Sequence, residues 1–195
     1  AADVNVSDAL EALPRVLALE RHGIRPASGE ILVTGLPVAQ AKIKIGNFPK
    51  DSVAKHPLRT LDGREYSLAG LRGQVVVLEF LAVWCVHSRD QVPALNRFDD
   101  EDRERGLKII GMILNDTETT MPRIQQFTKD QKIEFPLTTI SYDLFEKFVE
   151  SKDTAVPQML VYGRNGKLAG YFAGHNDEIA AQLTALIKQE LDKKL

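Results

Sequence analysis

One predicted strand constrains the fold more than any other segment: Val75 to Ala82 is apolar at every position except Glu79. A strand this apolar has to be covered on both faces, as in a parallel sheet that carries helices on each side. The strand leads directly into Trp84 and Cys85, and a helical pattern follows from Ser88. The sequence therefore predicts an α/β fold in which a cysteine lies where a buried strand meets a helix.

From Phe48 onward, apolar runs alternate with segments of helical periodicity. The predicted helices span Ser88–Arg105, Thr117–Lys132, Tyr142–Val149 and Asp177–Lys194, and further strands are predicted over Leu107–Leu114, Gln158–Tyr162 and Leu168–Phe172. The last two strands are joined by Arg164-Asn165-Gly166, which is typical of a tight hairpin turn. This order predicts a mixed central sheet, with a parallel pair and an antiparallel hairpin, and helices on both faces.

Residues 1–47 differ from the rest and are predicted to form an N-terminal extension to a domain over residues 48–195. Apolar residues with helical spacing between Leu10 and Leu19 predict a helix, in which Pro14 is either near the start or at a kink. Two short runs, Ile31–Thr34 and Lys42–Ile45, predict strands. We expect this helix and a small hairpin to pack on the larger domain.

Composition excludes several classes of protein. The 195 residues are enough to bury a sizeable core, and 25 Lys and Arg against 27 Asp and Glu leave a net charge of −2. This balance gives no reason to expect nucleic acid as a partner, and no apolar run approaches the roughly 20 residues that cross a bilayer. A single cysteine excludes an intramolecular disulfide, and the four histidines show no metal-ligand spacing. We expect neither a metal nor another cofactor.

No targeting sequence is visible at the start of the chain. Ala1-Ala2 is not part of a basic segment followed by an apolar stretch of signal length. A mature chain after removal of a signal peptide is expected to begin in this way, as is any trimmed chain.

The position of Cys85 favours chemistry. At a helix start, the free backbone N–H groups and the positive end of the helix dipole favour a thiolate, which is the nucleophilic form of cysteine. The alternative is that a lone cysteine is only a small buried apolar residue. The strand-to-helix junction favours the reactive thiol.

The run from Val75 to Cys85 resembles the active-site strand of the thioredoxin superfamily. It is most similar to the TlpA/ResA/DsbE-like thiol-disulfide oxidoreductases, which read V-V-L-N-F-W-A-T-W-C-x-x-C-R-x-E-x-P. The likeness covers residues 48–195 through further matches at Leu61-Asp62-Gly63, Tyr66-Ser67-Leu68, Leu71-Arg72-Gly73, Arg89, Val92, Pro93, Ala155-Val156-Pro157-Gln158, Arg164-Asn165-Gly166-Lys167 and Gly174.

This resemblance implies a thioredoxin-like fold and thiol-disulfide exchange with protein or small-molecule disulfides and thiols. No cofactor is implied, because the redox equivalents reside in sulfur. Relatives of this kind act outside the cytoplasm, often in cytochrome c maturation or disulfide reduction. The resemblance thus favours the bacterial periplasm, with export or a membrane tether in the full-length form.

One departure from the family pattern changes the expected chemistry. Ser88 occupies the place of the second active-site cysteine, and a serine hydroxyl cannot attack a mixed disulfide to release the substrate. Ser88 is either an engineered replacement or the residue of a natural monothiol protein that relies on an external thiol. His87 and Arg89 keep a dithiol-type neighbourhood, which favours the first explanation.

Four other residues near Cys85 carry expectations. A carboxylate in a doubly covered strand is costly unless it is protonated or hydrogen-bonded, so Glu79 is expected to move protons to or from the thiol. The alternative is an acid that reaches a sheet edge or an adjacent lysine. By the resemblance, Glu79 matches the place of the buried aspartate of thioredoxins. The resemblance implies that Trp84 shields the thiol. An imidazole at His87 would stabilise a thiolate, and the alternative is an exposed first-turn histidine with no role. Val86 replaces the proline that is common there in strong oxidants.

Val156-Pro157 matches the superfamily's cis-proline loop, which faces the cysteine and pairs with the backbone of an extended substrate. From residues alone the bond is expected to be trans, because only about 5–6% of X–Pro bonds are cis.

Two rival functions remain. One is a non-catalytic binding module with an ordinary thiol, and the other is a peroxiredoxin-like peroxidase, which needs a threonine where this chain has Ala82.

Overall fold

The computed structural model describes residues 30–31, 43–44, 51–150 and 153–194. Its centre is a sheet of five strands, which are β5 (Val75–Leu81), β6 (Leu107–Leu114), β7 (Leu137–Ile140), β8 (Gln158–Tyr162) and β9 (Leu168–Ala173). Their order across the sheet is β7–β6–β5–β8–β9. β5, β6 and β7 are parallel, whereas β8 is antiparallel to both β5 and β9. The mixed sheet expected from the sequence is confirmed, as is the thioredoxin-like fold.

Helices cover both faces of this sheet. They are α1 (Asp51–Ala54), α2 (Val86–Asp102), α3 (Met121–Asp130), α4 (Tyr142–Val149) and α5 (Asp177–Asp192). Asn176 caps α5 and Ser141 caps α4, because each side chain accepts a hydrogen bond from a first-turn backbone N–H. A short 3₁₀ turn, Arg103–Arg105, follows α2, and Gly106 ends it with a φ of 92° that favours glycine.

The alternation of side chains along β5 divides the core in two. Val75, Val77 and Leu81 pack with apolar residues of α2, α3 and α5, whereas Val76 and Leu78 pack with residues of α4 on the other face. All seven residues of β5 are buried. The prediction of a strand covered on both faces is therefore confirmed, and Glu79 belongs by this alternation to the face of α2 and α5.

The helix predicted over Thr117–Lys132 is wrong in its first turn. α3 begins only at Met121, with Pro122 in its first turn, where the missing N–H of proline costs nothing. Ahead of it, Asp116 accepts hydrogen bonds from the backbone N–H of Glu118 and from the hydroxyl of Thr119. This local side-chain bonding competes with helix and holds residues 116–119 in a turn.

Two small antiparallel pairs precede the central sheet. β3 (Leu58–Arg59) pairs with β4 (Glu65–Tyr66) around a turn at Asp62-Gly63. In the extension, β1 (Glu30–Ile31) pairs with β2 (Ile43–Lys44), which confirms the hairpin in part. The helix predicted between Leu10 and Leu19 lies outside the described residues.

Arg164, in the β8–β9 turn, joins several elements at the amino end of β5. Its guanidinium donates to the carbonyl oxygens of Gly73 (2.9 Å), Arg105 (2.7 Å) and Leu191 (3.2 Å). These residues lie just before β5, just before β6 and near the end of α5. One side chain thus connects the sheet to the last helix at the end of β5 opposite Cys85.

Candidate active site

Cys85 is the N-cap residue of α2 and lies just beyond the carboxyl end of β5. A turn closed by the bond from its N–H to the carbonyl of Ala82 (3.1 Å) carries the chain from strand to helix. The residue is 8% exposed, and its thiol donates to the carbonyl oxygen of Val156, with Sγ and O 3.4 Å apart. The thiol is therefore sheltered but lies at the edge of the core.

The Val156–Pro157 peptide bond is cis, as the family resemblance implied and against the expectation from residues alone. The contact between Cys85 Sγ and the Val156 carbonyl brings this loop against the thiol, although the two residues are 71 positions apart in the chain. The two parts of the site that the sequence predicted separately thus lie together.

Gln158 holds the loop that precedes the cis bond. Its buried amide donates to the carbonyl oxygens of Asp153 (3.0 Å) and Ala155 (2.6 Å) and accepts from the Tyr171 hydroxyl (2.7 Å). Because the Tyr171 hydroxyl occupies the amide oxygen, the NH₂ group is left to face the two carbonyls. Sequence reasoning assigned no role to either residue.

Trp84 is 49% exposed beside the cysteine. Its indole Nε1–H donates to a carboxylate oxygen of Asp116, 2.8 Å away, in the turn before α3. Partial burial of Asp116 would raise the pKa of its carboxyl, but hydrogen bonds from Trp84, Thr119 and the Glu118 backbone outweigh burial and lower that pKa. Asp116 is therefore ionised at neutral pH and fixes the indole. Sequence reasoning assigned no role to Asp116.

Ser88 lies one helical turn after Cys85 and is completely buried. Its hydroxyl is 3.5 Å from the backbone N–H of Ala82, at the same strand-to-helix turn. Arg89, the next residue, donates from Nη2 and Nε to the carbonyl of Val83 (2.9 and 3.3 Å). Both side chains bind the segment between β5 and α2 and so hold the backbone around the cysteine.

Glu79 is completely buried on β5, directly opposite Gly111 of β6 and Met159 of β8. Within the described residues, neither of its carboxyl oxygens has a hydrogen-bond partner. Burial raises the pKa of Glu79 well above its ordinary value, and the charge of an ionised Cys85 raises it further. Burial thus favours the protonated, uncharged form of the Glu79 carboxyl, which is the property expected of a buried proton donor.

The other two predicted residues lie on the first turn of α2. Val86 is exposed, and the side chain of His87 is 69% exposed. Nδ1 of His87 is 3.9 Å from Asp90 Oδ2, an ion pair only when the imidazole is protonated. The described partner of the ring is thus Asp90, and stabilisation of a thiolate by His87 stays a prediction.

A groove of about 470 Å³ runs beside the tryptophan, between the start of α2 and α3. Trp84 and Arg89 line one part, and Arg123 and Phe127 of α3 line another. Together with exposed Val86, the indole gives the surface around Cys85 an apolar rim. Chemically, the arrangement offers a sheltered nucleophile, a buried acid and a backbone carbonyl at the edge of an accessible surface.

Comparison with known proteins places this geometry in a family. A model of the AhpC/TSA family matches residues 49–171, which is more than half of the chain. The chain belongs to the AhpC/TSA family. Within it, the sequence is similar to proteins named thiol-disulfide oxidoreductases, so the resemblance deduced from the motifs is confirmed. The first 47 residues lie outside the family match.

Two curated relatives illustrate the similarity of this AhpC/TSA chain. The thiol-disulfide oxidoreductase ResA of Bacillus cereus is 24% identical over 149 residues, which cover 76% of this chain and 80% of that protein. The thioredoxin-like protein YneN of Bacillus subtilis is 28% identical over 97 residues, or 50% of this chain and 56% of that protein.

Solved structures share the fold. A thiol:disulfide interchange protein of the thioredoxin family from Chlorobium tepidum has a TM-score of 0.60 and 24% identity, and the match covers 70% of this chain and 92% of that one. StoA from Bacillus subtilis has a TM-score of 0.56 and 21% identity, covering 67% and 94%.

Two negative findings concern only the part of the chain that the structure describes. There, no three His, Cys, Asp or Glu side chains gather in a way that could hold a metal ion. Over the same residues, no helix is both long and apolar enough to cross a bilayer.

Proposed function

We propose that this protein is a thiol-disulfide oxidoreductase that acts through Cys85 alone. The contact between the Cys85 thiol and the carbonyl of Val156, beside the cis bond to Pro157, carries the proposal. Once deprotonated, the Cys85 sulfur attacks one sulfur of a substrate disulfide. A new S–S bond to Cys85 forms, the substrate S–S bond breaks, and the other substrate sulfur leaves as a thiolate.

Glu79 handles the protons of this exchange. It is buried on the strand that leads to Cys85, and its pKa is raised mainly by burial and also by the charge of Cys85. The carboxylate form can take the thiol proton, and the carboxylic acid can protonate a leaving thiolate, because burial raises the pKa of Glu79 above that of an ordinary glutamate. Trp84 and Val86 form the apolar rim against which the substrate rests, and the loop at Val156 receives its backbone.

Ser88 limits the reaction to its first half. The hydroxyl occupies the buried position one turn from Cys85 from which a second thiol would attack the mixed disulfide. Because a serine hydroxyl does not ionise at neutral pH, the mixed disulfide persists until an external thiol reduces it.

Incubation with oxidised glutathione or a peptide disulfide, followed by mass spectrometry, tests this proposal. We expect one adduct per chain, stable until dithiothreitol is added, and no adduct on Cys85→Ala. Ser88→Cys should release the adduct and gain turnover in a disulfide-reductase assay, whereas the matched variant Ser88→Ala should retain it. A Ser88→Cys protein without turnover, together with a Cys85 that alkylates no faster than a free thiol, would contradict the proposal.

The reactivity of Cys85 and the residue three positions before it distinguish the two rival functions from the proposed one. A non-catalytic binding module requires an ordinary, slow thiol, so rapid alkylation of Cys85 at neutral pH argues against it. For the peroxidase, the position three residues before Cys85 is the buried Ala82, which offers no hydroxyl to a peroxide. No described contact favours either rival.

The family resemblance also carries two proposals on context. We place the protein outside the cytoplasm, in a bacterial periplasm or an equivalent compartment, because the relatives of this type act there. We also propose that residues 1–47 form an extension separate from the domain over residues 48–195. Limited proteolysis tests this boundary. We expect a protease-resistant fragment that starts close to residue 48.

A further inference from the structure

In the part of the chain that the structure describes, Glu79 and Gln91 are completely buried side chains that carry polar atoms without a hydrogen-bond partner. Among the described residues, the buried side-chain atoms without a hydrogen-bond partner are both carboxyl oxygens of Glu79, Nε2 of Gln91 and Oδ1 of Asn96. Glu79 and Gln91 are both completely buried. Gln91 offers hydrogens without an acceptor, and Glu79 offers oxygens without a donor, and each such group is costly in an apolar interior.

The topology brings these two side chains to the same level of the same face. Glu79 lies two residues before the end of β5, about 7 Å back along the strand at about 3.3 Å per residue. Gln91 lies five residues into α2, which is about 7.5 Å along the helix. Because α2 connects the parallel strands β5 and β6, it runs back antiparallel to β5. Both side chains therefore lie at a similar depth below Cys85.

A third residue fixes the Gln91 amide. Nδ1 of His175 is 2.6 Å from Oε1 of Gln91. His175 directly precedes Asn176, the cap of α5, and α5 packs on β5 and β9. α2 packs on β6, so this contact joins the two helices above β5, the strand that carries Glu79.

The polarity of this contact determines where the amide hydrogens point. Oε1 can only accept, so Nδ1 of His175 has to carry the hydrogen. The NH₂ group on the other arm of the same planar amide then faces the interior, where Nε2 is buried without an acceptor among the described residues. An amide anchored in this way has its donors ready for an anion.

We propose that Gln91 is a positioning residue for Glu79: its amide, held at the oxygen by His175, donates to one buried water that in turn donates to the Glu79 carboxylate. The apolar compartment then tolerates the ionised form that the thiol chemistry requires. This inference rests on the proposed function, in which Glu79 serves Cys85, but its test does not depend on turnover.

The charged surroundings are simple. The titratable group whose charge acts on Glu79 is Cys85, at the start of α2. Near His175, the acidic residues Asp177 and Glu178 in the first turn of α5 are exposed to solvent. A hydrogen bond to Glu79 from within the compartment is therefore separable from surface charge.

The test is a titration of Glu79 by carbon-13 NMR of labelled glutamate side chains, with the signal assigned through Glu79→Gln. In Gln91→Met, which removes the amide at similar volume, we expect the midpoint to rise by about one to two pH units, because a hydrogen bond to a charged group is lost. His175→Phe should raise it less, since the amide stays but loses its anchor. The pH profile of Cys85 alkylation should move in both variants.

Asn96→Ala is the matched control. Asn96 also carries a buried unpartnered atom on α2, but it lies five residues from Gln91, about 140° around the helix, and donates to the Gln131 carbonyl (2.9 Å). Its variant should leave the Glu79 midpoint in place. An unchanged midpoint in folded Gln91→Met overturns the proposal, and if that variant fails to fold, an unchanged midpoint in His175→Phe does so. Mixed-disulfide formation in these variants reports separately on the proposed function.

Discussion

At the scale of single residues, the hydrogen bond between Trp84 and Asp116 couples the environment of the tryptophan to the charge of a carboxylate. Trp84 is the one tryptophan of the chain, and its indole donates to the Asp116 carboxylate at 2.8 Å. Although burial opposes the shift, hydrogen bonds lower the pKa of Asp116 below its ordinary value. Tryptophan emission therefore follows the charge state of one carboxylate beside the thiol.

We predict that Trp84 fluorescence titrates with a midpoint below about 4, the ordinary value of an aspartate. Because the folded-state pKa is lowered, the stability that this carboxylate contributes is present above its unfolded pKa and is lost as the pH falls through the folded one. Asp116→Asn should keep an acceptor for the indole but abolish the titration, and Asp116→Ala should shift the emission to longer wavelength at neutral pH. Circular dichroism at each pH controls for unfolding.

Local patterns predicted Cys85 and Glu79 as site residues, and the family resemblance added Val156 and Pro157. Neither singled out Asp116 or His175, whose partners are distant in the chain. Cys85 was recognisable because a strand and a helix pattern meet there, and Glu79 because an acid interrupts an apolar strand. Asp116, by contrast, is 32 positions from Trp84, and His175 is 84 positions from Gln91. Such pairs are created by the crossing of elements, for which no local pattern exists.

At the scale of elements, the loop before β8 is held by side chains of the hairpin it leads into. Gln158, at the start of β8, donates to two loop carbonyls, and Tyr171 of β9 fixes the orientation of its amide. The Val156 carbonyl that faces Cys85 belongs to this loop. The position of that carbonyl thus depends on an amide that does not touch the thiol.

We predict that Gln158→Glu slows the reaction of Cys85 with a peptide disulfide about tenfold or more, since a carboxylate would face two carbonyl oxygens without a donor and about 1.4 kcal/mol is a factor of ten. Alkylation by iodoacetamide, which is too small to need the loop, should change much less. Tyr171→Phe should give a smaller effect of the same kind. Equal losses with both reagents would indicate general damage to the site and contradict the positioning role.

Element boundaries were predictable where one strong signal acts alone. β6 spans Leu107–Leu114 and α4 spans Tyr142–Val149, as the patterns predicted, because Gly106 and the Ser141 cap fix their starts. The first turn of the helix predicted from Thr117 failed because Asp116 bonds locally instead. A pattern of apolar spacing does not register this competition between side-chain and helical hydrogen bonds.

At the scale of the whole molecule, hydrogen bonds from Arg164 connect the sheet and the last helix at the end of β5 opposite Cys85. Arg164 donates to three carbonyls, of Gly73, Arg105 and Leu191, each beside a different element. Gly106 leaves the room that this guanidinium occupies, since a Cβ there would lie 2.8 Å from Nη1. The contacts that hold the termini of sheet and helix are thus separate from those that shape the site.

We predict that Arg164→Met lowers the free energy of unfolding by about 1–3 kcal/mol, because partly buried carbonyls lose charged donors. The rate of Cys85 alkylation at neutral pH should stay within about twofold of the starting protein, since no contact of the site is altered. Urea unfolding and alkylation kinetics on the same sample measure both. Arg164→Lys keeps the charge but not the forked guanidinium. Its free energy of unfolding should therefore lie between those of the starting protein and Arg164→Met.

The hydrogen bond from the Cys85 thiol to the Val156 carbonyl links the protonation of the thiol to the loop at Val156. While the thiol keeps its proton, it donates to the carbonyl oxygen that, under the proposed function, would also accept the backbone N–H of an extended peptide. When the proton leaves, sulfur and carbonyl oxygen are two electron-rich atoms face to face, and an incoming N–H relieves their repulsion by bonding to the oxygen. Under the proposed function, ionisation of Cys85 and binding of the peptide thus favour each other, so that the single thiol would react most readily once its target is bound.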